Sequence, residues 1–176
     1  ALVEMGISES GEMESLVRMV CPTGVVFTSF GSAHALGFAS EEAKLAEKMQ
    51  AAEGTQFAVW CADHEPLRKV FASYASDRWD WTRQPERYPD AAFRVQLRSV
   101  LGGTEVSIRG KNKELQAFLP FEDEVLVEDA IHAALLALRL GADAPLLAAG
   151  MAQLTPLGMR LETLPALGGG VIIYDS

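Results

Sequence analysis

The chain has 176 residues, 49% hydrophobic and 22% charged, enough for one domain with a real core and inconsistent with disorder. Its formal net charge of −9 argues against nucleic acid as a partner, because a phosphate backbone needs a basic surface; a small nucleotide needs only a local cradle and a metal. Cys21 and Cys61 show no paired metal spacing, which argues against a disulfide framework or a zinc site, and no apolar run approaches the roughly 20 residues that span a bilayer. Nothing at the start resembles a signal peptide, so a cytoplasmic protein without membrane insertion is expected.

Ala1 to Glu4 reads as the tail of a buried strand and Val171 to Tyr174 as a terminal strand, so both ends are expected to be cuts through a larger fold. Met13, Leu16, Val17 and Val20 recur at helical spacing, predicting a helix from Ser10 to Val20 that Pro22 closes. Gly24 to Phe30 is a short strand. Ser40 caps a helix running to about Ala52, with Glu41 and Glu42 in its first turn. Phe57 to Cys61, a helix from Pro66 to Tyr74, and Trp79 to Thr82 follow. Strand, helix and strand joined by short loops imply parallel pairing with right-handed crossovers.

The pattern then changes. Phe93 to Val100, Glu105 to Arg109 and Leu115 to Leu119 alternate or turn at Gly102-Gly103 and at Gly110 to Lys113, which predicts a separate antiparallel meander with one wet face. Val125 to Leu140 and Ala144 to Met151 are helices. Leu157 to Leu161 leads through the Gly168 to Gly170 loop into the last strand.

Several features read as ordinary structure. Gly110-Lys111 lacks the following Ser or Thr of a phosphate loop and is a hairpin turn. His64 and His132 have no acid or Cys partner at ligand spacing and read as surface or core histidines. Trp79 and Trp81 are sheet packing, and the acids from Glu122 to Asp129 a solvated helix start. The residues left are Glu4, His34 and Lys48. Glu4 and His34 both follow carboxyl ends of strands, where open α/β sheets bind ligands, and a carboxylate beside an imidazole suits a divalent metal.

Glu4-Met-Gly-Ile-Ser, Ala33-His34, Gly37-Phe38, Ser40 and Lys48, then Ala62-Asp63, Leu119-Pro-Phe, Gly158-Met-Arg160-Leu-Glu and Ile173-Tyr-Asp-Ser, occur in the order of one family. Together they resemble the central domain of Mur ligases, and most of all the branch that adds D-alanyl-D-alanine to UDP-N-acetylmuramoyl-tripeptide. Pro156 to Glu162 is similar to the subset of that branch fused to an alanine racemase, so a racemase domain in the same polypeptide is a further expectation. The resemblance implies an α/β, Rossmann-like, P-loop-type, mostly parallel sheet flanked by helices, with a small three-stranded antiparallel sheet. Residues 1–160 would be the ATP-binding central domain without its phosphate loop, and 161–176 the start of the C-terminal domain.

The resemblance also implies ATP and magnesium as cofactors and a ligase that forms an amide through an acyl phosphate. Glu4, His34 and Lys48 match metal positions, Lys48 being the lysine that the family commonly carbamylates. Asp129, Arg160 and Asp175 match nucleotide-contacting positions. Ser29, Cys61 and Asp129 stand where Asn is usual. A folylpolyglutamate synthase-like ligase and a non-catalytic Rossmann-like binding module are the alternatives. The isolated chain is expected neither to hydrolyse ATP nor to bind it tightly.

Overall fold

The computed structural model describes residues 1–28, 37–74, 76–156, 162–165 and 171–174. The elements follow the expected order: α1 (Glu12–Val20), β1 (Gly24–Phe27), α2 (Glu41–Met49), β2 (Phe57–Cys61), α3 (Glu65–Phe71), β3 (Asp77–Thr82), β4 (Phe93–Val100), β5 (Gly103–Gly110), β6 (Lys113–Leu119), α4 (Glu124–Arg139), α5 (Ala144–Met151), β7 (Glu162–Pro165) and β8 (Val171–Tyr174). Three helix starts, those of α2, α4 and α5, are built on side chains that satisfy free amides. Ser40 Oγ accepts from Ala43 N at 3.1 Å, and Asp123 Oδ1 accepts from Val125 N and Leu126 N at 3.0 Å. Asp143 does the same for α5. These caps place each helix start where the sequence puts a short acceptor.

Strands β1 to β6 form one six-stranded sheet in sequence order. β1, β2 and β3 pair in parallel, and β4, β5 and β6 pair antiparallel. Both faces of the parallel half are covered, as strand composition requires. Phe57, Val59, Cys61, Trp79 and Trp81 point toward α4 and α5, where Ile131, Leu135 and Leu138 complete the main core. Ala58 and Trp60 point the other way, against Leu45 of α2 and Leu67 and Phe71 of α3, with Trp60 stacked on Phe71 at 4.1 Å between ring centroids. Trp79 and Trp81 are core residues, as expected. The turn at Lys111 and Asn112 has φ of 47° and 58°, the geometry of a tight hairpin.

Three expectations need correction. The meander is not separate: β4 runs parallel to β3 through Trp81↔Phe93 and Thr82↔Arg94, so it extends the main sheet. Strict alternation reports a wet face, not a free edge, and Asp80 Oδ1 accepts from Ala92 N at 3.4 Å beside that junction. Val171 to Tyr174 pairs antiparallel with β7 in a two-stranded sheet of its own, outside the parallel core. Ala1 to Glu4 forms no strand and is exposed, Leu2 at 84%. A β-branched run needs a neighbouring ladder to become a strand, and none of the described residues supplies one. Among the described residues, no helix is long and apolar enough to cross a membrane.

Candidate functional site

The segment that carries Glu4 and the helix that carries Lys48 are joined through the packing of their neighbours. Met5, next to Glu4, packs in a small cluster with Ile7, Met13, Phe38 and Ala51, and Ala51 lies one turn beyond Lys48. A Cβ on Gly37 would lie 1.9 Å from the carbonyl oxygen of Ser8, so the segment after Glu4 crosses directly over the Gly37-Phe38 segment. Glu47, buried on α2, reinforces this contact. Its Oε1 accepts from Gly11 N at 2.8 Å and Met13 N at 3.2 Å, which ties the start of α1 to the helix that carries Lys48. α1 lacks a side-chain cap of its own, so Glu47 supplies a carboxylate at its positive end.

Glu4 is exposed and Lys48 half-buried. Burial, and then the charge of Lys44 one turn away, push the Lys48 pKa below the usual lysine value. That is the direction an amine needs if it is to be neutral and reactive. His34 lies outside the described residues, as do Ser29, Arg160 and Asp175. Asp129 is exposed on α4, one residue beyond Glu128.

A second polar corner lies at the carboxyl ends of β2 and β3, and here the reading of the histidines as unpartnered is corrected. His64 Nε2 lies 2.6 Å from Glu128 Oε1 on α4, and a ligand atom of Cys61 lies within 4.8 Å of both side chains. The expectation of solvated acids holds for Glu122 and Glu124 but fails for Glu128, whose side chain is 14% exposed. The hydrogen bond to Glu128 raises the His64 pKa against the opposing effect of burial. Burial pushes Glu128 up, but the His64 hydrogen bond and neighbouring charges hold it below the usual range. Cys61 is fully buried, and its thiol is pushed up to about 12 by burial and then by Glu128, so it is no nucleophile.

Asp63 and Thr82 frame this corner. Thr82 Oγ1 donates to Asp63 Oδ1, and Arg83 N donates to Asp63 Oδ2 at 3.0 Å. His132, one turn along α4 from Glu128, is 1% exposed with its ring edge-on to Trp81. The Glu128 carbonyl faces that ring, but neither ring nitrogen has a hydrogen bond of good geometry. Burial accordingly lowers the His132 pKa to about 4. The spacing Cys61-x-x-His64 and the pair Glu128 and His132 at i, i+4 were the sequence signals for this cluster. A cleft of about 1040 Å³ opens between the meander and α5, lined by Arg83, Leu97, Val106 and Ala148 among others; Glu4, Lys48 and Asp129 take no part in it.

No protein-family model matches the chain. Over its whole length it is 25% identical to the UDP-N-acetylmuramoyl-tripeptide--D-alanyl-D-alanine ligase of Bacillus subtilis, and it spans 37% of that relative's length. Its fold superposes with a TM-score of 0.74 on MurF from Acinetobacter baumannii, at 17% identity, covering 98% of this chain and 38% of that one. MurF from Thermotoga maritima in complex with ADP gives 0.73 at 18% identity, covering 96% and 39%. A folylpolyglutamate synthase from the same organism gives 0.58 at 19% identity, covering 88% and 34%. The chain resembles Mur ligases in sequence and has the fold of part of a Mur ligase.

Proposed function

We propose that the chain is the central part of an ATP-dependent ligase that joins D-alanyl-D-alanine to UDP-N-acetylmuramoyl-tripeptide. The observation that carries this reading is the packing of Glu4's segment, the Gly37-Phe38 segment and the end of α2 into one cluster beside a half-buried Lys48 of lowered pKa. These are the segments on which the resemblance puts the metal positions. The donor set suits a hard divalent ion, since Glu4 offers a carboxylate and a carbamylated Lys48 would offer a second anion. Magnesium bound there would neutralise charge that spreads over a transferring phosphoryl group.

The chain's own residues have simpler work. Glu47 holds α1 against α2 and so sets the height of Lys48 relative to the Glu4 segment. Burial shifts Lys48 toward the free amine, the form that adds carbon dioxide. By the resemblance, His34 would serve as a further metal ligand, and Arg160, Asp175 and Asp129 as nucleotide contacts. The tripeptide carboxylate would take the γ-phosphoryl group of ATP with release of ADP, and the amine of D-alanyl-D-alanine would attack the acyl carbon, losing a proton as phosphate leaves.

The folylpolyglutamate synthase reading is weaker, because the fold superposes less well on that enzyme, 0.58 against 0.74. The non-catalytic reading rests on Cys61 and Asp129 standing where Asn is usual. The test is phosphate release by the full-length protein with ATP and magnesium. We expect release only when both the muramoyl-tripeptide and D-alanyl-D-alanine are present, with one amide product per phosphate. Release that depends on a folate and glutamate, or no release with any of these substrates, would overturn the reading. The chain alone, residues 1–176, is expected to show no ATP hydrolysis.

A further inference from the structure

We propose that Cys61, His64 and Glu128 form a binding site for a borderline divalent metal ion such as zinc, distinct from the Glu4 and Lys48 corner. The three offer one thiol, one imidazole and one carboxylate, with ligand atoms all within 4.8 Å of one another. In a tetrahedral zinc site the bonds are about 2.0–2.3 Å, which puts ligand atoms roughly 3.3–3.7 Å apart. Small side-chain adjustments therefore close the set around an ion. The His64 to Glu128 contact, now 2.6 Å, would open slightly as both atoms turn to the metal. A thiolate with an imidazole selects zinc or cobalt over magnesium, which prefers oxygen donors alone.

Each ligand is held by a different element. Cys61 ends β2, His64 stands at the start of α3, and Glu128 lies on α4, which packs across the same sheet face. Such a set is pre-positioned by the fold and not by a flexible loop. Access is from the His64 side, since that side chain is 35% exposed while Cys61 is fully buried. Asp63 is not available as a fourth ligand, being committed to Thr82 and Arg83. The fourth position is left for water or a small ligand, as in open zinc sites. An independent observation points to the same corner: His132, 1% exposed and one turn from Glu128, has no well-formed hydrogen bond at either ring nitrogen. Buried polar groups without partners are rare and mark a bound water, an ion or a function.

On binding, the Cys61 S–H bond breaks and its proton passes to solvent. His64 binds through Nε2 as the neutral imidazole with its one proton on Nδ1, any second proton passing to solvent, and three metal–ligand bonds form with no change of oxidation state. Thiolate, Glu128 and Asp63 then balance the ion and Arg83, so no unpaired charge is left in the corner.

Cobalt(II) titration of the metal-stripped full-length protein tests the site. One equivalent should bind with a sulfur-to-cobalt charge-transfer absorption, and zinc should displace it. Cys61→Ser should abolish that absorption, and Cys21→Ser, which changes the exposed cysteine, should leave it intact. His64→Gln, at a partly exposed position that should not disturb folding, should weaken binding by about 10–100-fold. Absence of the absorption in the folded wild-type protein, its survival in Cys61→Ser, or unchanged affinity in His64→Gln would each overturn the proposal. Magnesium-dependent ligation is a separate readout, so failure here leaves the ligase reading to its own test.

Discussion

The two polar corners are built in opposite ways. The Glu4 and Lys48 corner is assembled by backbone crossing and apolar packing, with its functional groups exposed or half-buried at the end of their elements. The Cys61, His64 and Glu128 corner is assembled by the side chains themselves, gathered from β2, α3 and α4 and largely buried. The first suits a large charged substrate that must enter and leave. The second suits a small ion or a permanent polar contact. Resemblance to Mur ligases points to the first corner, and side-chain geometry alone marks the second.

The largest expected effect lies at the first corner. Lys48→Ala in the full-length protein should lower ligase turnover by on the order of 100-fold or more, with partial rescue by bicarbonate, and Lys48→Glu should lose less because it keeps an anion. Wild-type kcat for Lys48→Ala at low bicarbonate would remove Lys48 from the site. Leu135→Ala, in the core that holds α4 over β2, should cost about 2–5 kcal/mol in denaturant unfolding and loosen the Cys61 corner with it.

His132 gives the second corner a pH signature. Its pKa is about 4 in the folded chain against an ordinary value near 6.5, so the unfolded chain binds the extra proton in the window between them. Stability should be full above that window and fall as pH drops through it, by roughly 3 kcal/mol at most. Glu128 and His64 are the charged groups around it, and both act in the same metal-free measurement. His132→Leu should flatten this limb of the stability profile, and an unchanged slope would contradict the assignment.

Glu47→Ala should cost about 1–3 kcal/mol, because it strips two amides of α1 of their acceptor. Its effect on turnover should exceed that of an equally destabilising change in α5, if Glu47 sets the Lys48 geometry. The smallest effect belongs to Asp77, at the opposite end of β3 from the Cys61 corner. Burial pushes its pKa up, yet hydrogen bonds from Lys111 and Trp79 hold it low. Asp77→Asn should cost under about 1 kcal/mol and leave ligation unchanged.

The sequence carried the elements well because caps and periods are local. The Ser40 cap and the turn at Gly110 to Lys113 are readable without knowing the fold. Motif order alone proposed the first corner, since nothing local says that Met5, Phe38 and Ala51 meet. The second corner was missed for a physical reason. Cys61-x-x-His64 is a single pair, and its third member, Glu128, comes from a helix that reaches it only by packing across the sheet. The joining of β4 to β3 was missed likewise, because a parallel pair of two residues leaves no trace in alternation. Ala1 to Glu4 shows the converse, a strand-like run without a strand neighbour.

The most direct test of the account uses carbon-13 bicarbonate on the full-length protein with magnesium and nucleotide. The account predicts a carbamate carbon signal in the spectrum of the wild-type protein, absent in Lys48→Ala and unaffected by Cys61→Ser. No carbamate signal in an actively ligating protein, or a signal that survives Lys48→Ala, would contradict the role given to Lys48 and with it the placing of ligase chemistry at the first corner.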